Sequence, residues 1–428
     1  MIKYCLLYIL PIFLFPNYGI SQIDTFALAG YATVNGSTTG GQGGDTITVT
    51  TGNELQDAIK NKGNNPLIIY VDGIITPANS VGLSKIDVKD VEDISILGRG
   101  YGAEFNGIGI KLWRTSNIIL RNLKIHHVDI GDKDCISIEG PTDHVWVDHC
   151  ELYNEYQTVG KDDYDGLFDI KKSTDYITFS WNYLHDSWKC SLSGSSESDT
   201  FNRHVTYHHN LYENANSRMP LFRGGTGHIF NNYYVDVVST AINSRINACI
   251  LIENNYFENV HNPWVSAYSN ILGAVDTIGN IRDNSPFDYS ASDTHQPLSC
   301  TLSVPYDYSH VLMDATDIPS VVEQNAGVGK LFISTTSTAI EDELGEKISV
   351  FPNPASEVVN VNMEISKAAN VGLEVYNLMG QKVREINEQL VPQGKADLQI
   401  KTEGLEPGVY WLQIKMDQRS VCKPLIVR

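Results

Sequence analysis

Apolar and polar residues alternate in short runs through the middle of the chain, and the runs share one template. VWVDHCEL (145–152), ITFSWNYL (177–184), VTYHHNLY (205–212) and ILIENNYF (250–257) carry apolar or aromatic residues at the first, third and eighth places. GHIFNNYY (227–234) follows with its first place relaxed to glycine. The sixth place holds Cys150, Asn182, Asn210, Asn232 and Asn255, at separations of 32, 28, 22 and 23 residues. Upstream, ISILGRGY (94–101) and IILRNLKI (118–125) fit the apolar places.

Alternation of this kind is a strand signal, because successive side chains of a strand point to opposite faces. Runs this short, recurring at about 22 residues plus uneven insertions, predict a right-handed parallel β-helix. Each coil would stack on the last, so that equivalent residues form ladders about 4.8 Å apart. An antiparallel sandwich also uses many short strands, but the asparagine register and the uneven insertions favour stacked coils. Asparagine suits a tight bend, since it tolerates left-handed backbone and can bond to its neighbour above. The insertions fall between strands and so project from the edges of the cylinder, where functional residues are expected. NELQDAIKN (53–61) has helical spacing and is expected to cap the first coil.

The two ends read differently. MIKYCLLYILPIFLFPNYGISQ opens with one lysine, an apolar stretch and small residues near Gly19 and Ser21, which predicts a signal peptide over 1–21. The β-helix domain is expected over 22–333. STTSTAIEDELGEK (334–347) is polar and lacks alternation, as a linker does. From 348 to 428, ISVFPNPASEVVNVNM, LEVYNLMGQKV, LEPGVYWLQI and KPLIVR alternate between turn signals and predict a small β-sandwich. The overall fold class is therefore all-β.

Charge and cysteines narrow the function. The formal net charge of −20 argues against nucleic acid or an anionic membrane as partner. No later segment is long and apolar enough to span a membrane, so a secreted, extracellular or cell-surface protein is expected, as a monomer. Seven cysteines occur without a CxxC pair, which argues against zinc, and their pairing cannot be read from spacing. An acidic polymer could bind only at a local positive site. NSRMPLFRGG (216–225) offers one: Arg218 and Arg223 flank Pro220, which interrupts the strand and lets both turn toward one spot. Lys189 lies one coil earlier.

Acidic candidates cluster just upstream. GDKDCISIEG (131–140) holds Asp132 and Asp134, and DDYDGLFDIKK (162–172) holds Asp165 and Asp169. Positions four apart on a strand share a face, so Asp165 and Asp169 are expected to point together, with Asp134 stacked alongside. Converging carboxylates repel unless a cation lies among them, and a hard divalent ion with oxygen ligands, calcium first, suits them. Solvated surface acids are the alternative reading.

These stretches together resemble pectate lyases of the first polysaccharide lyase family. The similarity runs over roughly 27–330, through GYATVNGSTTGGQGG, LIIYVDGII, VWVDHCEL, YDGLFDIKKSTDYITFSWNYLHDSWKCSLSG, VTYHHNLYENANSRMPLFRGG and ENNYFENVHNP. It implies calcium-assisted β-elimination of de-esterified homogalacturonan (polygalacturonate), leaving a 4,5-unsaturated sugar. It places calcium ligands at Asp134, Asp165 and Asp169, with Asp132 a weaker fourth because Lys133 interrupts the pattern. It places the base at Arg218, in R-x-P-x-x-R, and substrate-carboxylate contacts at Lys189 and Arg223. Asp148 and His149 also match and are assigned to the scaffold. The C-terminal segment resembles a type IX secretion sorting domain, which implies secretion machinery as a partner.

Pectin lyases share the fold and the elimination but act on methyl esters without calcium, and Asp134, Asp165 and Asp169 argue against that. GDKDCISI resembles a polygalacturonase carboxylate segment, but the Gly-His-Gly and Arg-Ile-Lys signatures are missing. A non-catalytic adhesin would leave the three cations unexplained.

Overall fold

The computed structural model describes residues 28–290, 293–331, 348–365, 367–376, 382–405, 408–416 and 419–427. The leader expected over 1–21 and the linker over 334–347 lie outside the described residues. Three long sheets, parallel except for the antiparallel edge strand Thr294–His295, wind around one cylinder, with eleven strands in the first (sheet A) and nine in each of the others (sheets B and C). Strand Thr174–Ser180 in sheet A leads to Tyr183–Lys189 in sheet B and Ser191–Ser193 in sheet C, and the next coil repeats the path. This is the parallel β-helix anticipated from the alternation.

The apolar template residues form the interior. Ile118, Val145, Ile177 and Val205 stack in register, as do Leu120, Val147, Phe179 and Tyr207, and all are fully buried. Burying each such side chain is worth about 1.5–3 kcal/mol, which supplies the main drive for stacking. Gly227 relaxes the first column because the Phe222 ring fills its place: a Cβ there would lie 3.2 Å from that ring. Helix Gly52–Asn61 covers the first coil, as expected, burying Leu55 and Ile59 behind a Thr51–Glu54 capping box. Cys249 and Cys300 form a disulfide across 51 residues. Cys135, Cys150 and Cys190 are free thiols in the apolar interior.

The sixth-place asparagines form a buried ladder between sheets A and B. The Asn182 amide donates to Asn210 Oδ1, Asn210 to Asn232 Oδ1, and Asn232 to Asn255 Oδ1, each at 2.9 Å. The left-handed residues of this bend are the fifth-place ones, His149, Trp181, His209, Asn231 and Asn254. Asparagine at the sixth place is thus selected by hydrogen bonding to the adjacent coil, not by its tolerance of positive φ. Asn210→Ala should strand buried donors and acceptors on the coils either side. A loss of about 3 kcal/mol in urea unfolding is expected.

Seven described strands of the C-terminal region form two antiparallel sheets of three and four strands. Val359, Val361 and Met363 of one sheet meet Val371, Leu373 and Leu412 of the other in a separate small core. No described helix is long and apolar enough to cross a membrane.

Candidate active site

The chemistry-bearing residues converge at the bend between sheets B and C. Asp134 precedes strand Ile136–Glu139, and Asp169 lies within strand Phe168–Lys171, facing outward between the inward Phe168 and Ile170. Asp165 is not on that strand, contrary to the expectation of a shared strand face. It belongs to the preceding loop, whose return is fixed by the Asp165 amide donating to the Lys133 carbonyl at 3.1 Å. The Lys133 ammonium adds a bond to the Asp163 carbonyl at 2.9 Å. The same residue that breaks the acidic pattern in sequence therefore brings Asp165 back to Asp134.

One carboxylate oxygen from each of Asp134, Asp165 and Asp169 lies within 4.8 Å of the other two. Two oxygens on one calcium ion are separated by at most about 5 Å, twice a calcium–oxygen bond, so the spacing fits. The donors are hard carboxylate oxygens, and the buried Asp169 Oδ2 has the Lys171 ammonium 3.2 Å away. The spacing and the donor type suit a hard divalent cation. Asp134 and Asp169 are almost fully buried, at 4% and 1% exposure. Burial, then the neighbouring Asp169 charge, raises the Asp134 carboxyl to about 7. Burial also raises Asp169, against the opposing pull of Lys171.

Cation binding must displace a proton from a carboxyl raised in this way. Affinity for calcium is therefore expected to fall as pH drops through 7, by about tenfold between pH 8 and 6 for one competing proton. Calorimetric titration at the two values, with proton release followed in buffers of different ionisation heat, checks this.

Asp132 stands apart from the trio. Its carboxylate is taken by Lys111 at 2.8 Å and Lys85 at 3.3 Å, and those charges hold its pKa down against burial. The left-handed backbone at Gly131 and Lys133 brackets this turn. A fourth-ligand role for Asp132 therefore has no support in this geometry.

The cations follow coil by coil. Lys189 ends its sheet B strand with Nζ 3.0 Å from Asp165 and 2.8 Å from Asp162. Burial would lower its pKa, but these two carboxylates prevail and raise it. Lys189 is in register with Ser217, so Arg218 lies on the next coil, and its carbonyl accepts from the Ser191 amide at 2.7 Å. Arg218 has φ 69°, the Met219–Pro220 peptide is cis, and Leu221–Arg223 begins again in sheet C. The corner expected at Pro220 is present. Arg218 is close enough for its charge to act on both Asp169 and Arg223. Among the described residues its guanidinium has no hydrogen-bonded or ion-paired partner. Arg223 by contrast donates to the Gly194 carbonyl at 2.7 Å and to Glu197 at 3.1 Å.

Two cations here escaped the sequence reading. Lys171 reaches Asp134 at 2.6 Å and Asp169 at 3.2 Å. It was legible, being two residues beyond Asp169 on the same strand face. Arg245 is in register with Arg223 on the following coil and shares Glu197 with it. Its 22-residue offset equals the Asn210–Asn232 spacing, which is the signal that could have found it. Burial and the Arg223 charge lower Arg245 to about 10.

Asp148 and His149 are fully buried at the other corner, between sheets A and B. Asp148 accepts from Arg121 Nε at 2.7 Å, Ser180 Oγ at 2.6 Å and His149 Nδ1 at 2.5 Å. They tie three coils together and do not face the candidate site.

Known proteins are similar to this chain in sequence and fold. Residues 19–331 match the pectate lyase family model, and 349–428 match that of a secretion system C-terminal sorting domain. A pectate trisaccharide-lyase of Bacillus licheniformis is 53% identical over 313 residues, 73% of this chain and 89% of its own. A pectate lyase from Bacillus sp. N165, solved with trigalacturonate, is 39% identical with a TM-score of 0.65, over 71% of this chain and 99% of that one. Pectate lyase C of Erwinia chrysanthemi, solved with calcium, is 28% identical with a TM-score of 0.61, over 73% and 99%. Together with the buried acidic trio and the run of cations beside it, these matches show that the chain belongs to the pectate lyase family of polysaccharide lyases and carries a C-terminal secretion sorting domain.

Proposed function

We propose that the protein is a calcium-dependent pectate lyase, cleaving de-esterified homogalacturonan by β-elimination to 4,5-unsaturated oligogalacturonates. The observation that carries the reading is the convergence of Asp134, Asp165 and Asp169 with Lys189 beside Arg218, whose guanidinium has no partner among the described residues. The B. licheniformis relative is a pectate trisaccharide-lyase, and the Bacillus sp. N165 neighbour holds trigalacturonate. The E. chrysanthemi neighbour was solved with calcium.

The difficult step is loss of the C5 proton, because the adjacent carboxylate anion acidifies it poorly. Asp134, Asp165 and Asp169 would hold the calcium ion, whose positive charge would offset the negative charge of the substrate carboxylate. Lys189 and Arg223 add hydrogen-bonded cations where charge builds up in the transition state, usually the largest single contribution to catalysis. Arg218 accepts the C5 proton. The electron pair of the C5–H bond forms the C4–C5 double bond, and the C4–O4 bond breaks with its electrons left on O4, which takes a proton from water as the leaving chain departs. The acidic oxygens lie closer than the roughly 6.5–9.5 Å that an inverting hydrolase needs between its carboxyls, which disfavours inverting hydrolysis.

The sorting domain directs the enzyme to export, and we assign 1–21 as the leader that starts it. Exposure of purified protein to polygalacturonate with calcium should yield products lighter by one water than hydrolytic ones and absorbing in the ultraviolet. Hydrolytic products, or none, would refute the reading.

A further inference from the structure

The outward face of sheet C carries a second positive feature upstream of the acidic trio. Val88, Leu112, Ile138 and Ile170 point into the core, so the residues after them, Lys89, Trp113, Glu139 and Lys171, form one outward column in register. The column continues to Arg223 and Arg245. Trp113 lies two coils, about 10 Å, upstream of Lys171, and Lys89 one coil further.

The charges around Trp113 are unevenly satisfied. Arg114 lies over its ring at 4.1 Å and is tied to Asp90 by two bonds of 2.6 Å. Lys111 is paired with Asp132 at 2.8 Å and Glu139 at 2.7 Å, and it faces Asp87 in register. Lys89 differs. Its ammonium lies 4.4 Å from the Trp113 ring centre and, among the described residues, has no carboxylate partner. A cation over an aromatic face is positioned by the ring but not neutralised, so it keeps its capacity for an anion.

We propose that Lys89, held over Trp113, binds a galacturonate carboxylate of the polymer upstream of the acidic trio and so extends the substrate track along sheet C. The polymer offers one carboxylate per sugar, and one sugar is close in length to one coil. A chain lying along the outward column would bring successive carboxylates past successive coils. The catalytic corner at Arg218 is four coils from Trp113, so short oligomers bound there do not reach Lys89. The feature therefore discriminates by chain length.

The proposal rests on the pectate-cleaving reading, and the test separates the two. In the full calcium-loaded chain, kcat/KM is measured on polygalacturonate and on the shortest oligogalacturonate the wild type turns over. Lys89→Gln should lower the polymer value about three- to fivefold through KM, the scale of an exposed ion pair, and leave the short substrate unchanged. Lys89→Arg should restore it. Unaltered polymer kinetics in Lys89→Gln, or an equal loss on both substrates, would overturn the distal site while the wild type remains active. Absence of unsaturated product from the wild type would overturn the pectate reading, and the distal site with it.

Discussion

Arg218→Lys should abolish turnover of polygalacturonate while calcium and oligogalacturonate still bind. The substitution keeps a positive charge at the corner between sheets B and C, so the electrostatic attraction for the polymer survives. What it removes is the planar guanidinium with its particular reach and directional nitrogens, which an ammonium does not reproduce. Loss of a positioned proton acceptor costs about 10²–10⁴ in rate. The expected pattern is a fall in kcat of that order with KM nearly constant, because proton transfer from C5 to the Arg218 side chain belongs to the transition state and not to the bound ground state. Stopped-time absorbance assays give kcat, and calorimetry with an unreactive oligomer gives affinity. Near-normal kcat would remove Arg218 from the role of base.

The second large effect is expected at Asp169. Asp169→Asn deletes one anionic oxygen from a trio packed within 4.8 Å while retaining an oxygen that can accept from the Leu192 amide, now at 3.1 Å. Calcium affinity should fall by more than about a hundredfold, at or beyond the upper range for perturbing a metal ligand's surroundings. Turnover should fall with it at fixed calcium. Stability without calcium should move the other way or stay constant. Burial and the nearby Asp165 charge disfavour ionised Asp169, so replacing it relieves a cost present in the metal-free fold. A purely structural aspartate would show the reverse: lower stability, with calcium affinity lost only through unfolding.

The cylinder was legible because its rule is repeated. One template residue gives weak evidence, but Asn182, Asn210, Asn232 and Asn255 occupy the same place on consecutive coils, and the hydrogen-bond ladder follows from that register. Lys189 and Arg223 were legible as cations in an acidic chain, near the strand ends where insertions emerge. The acidic trio was legible in membership but not in cause. Asp165 reaches its partners through a loop closed on Lys133, and loop closure leaves no periodic trace. Asp132 and Asp134 are indistinguishable by type and spacing. The left-handed turn at Lys133 separates them, leaving Asp134 with the trio and Asp132 with Lys111. The Cys249–Cys300 pairing required coordinates, since any of several cysteines could have served.

The initial rate of ultraviolet absorbance on polygalacturonate tests the whole account most directly, using wild-type protein stripped with chelator and then restored with calcium. Silence after stripping and recovery on restoration is the predicted result. An undiminished rate in chelator, or chain shortening without absorbance, would contradict it.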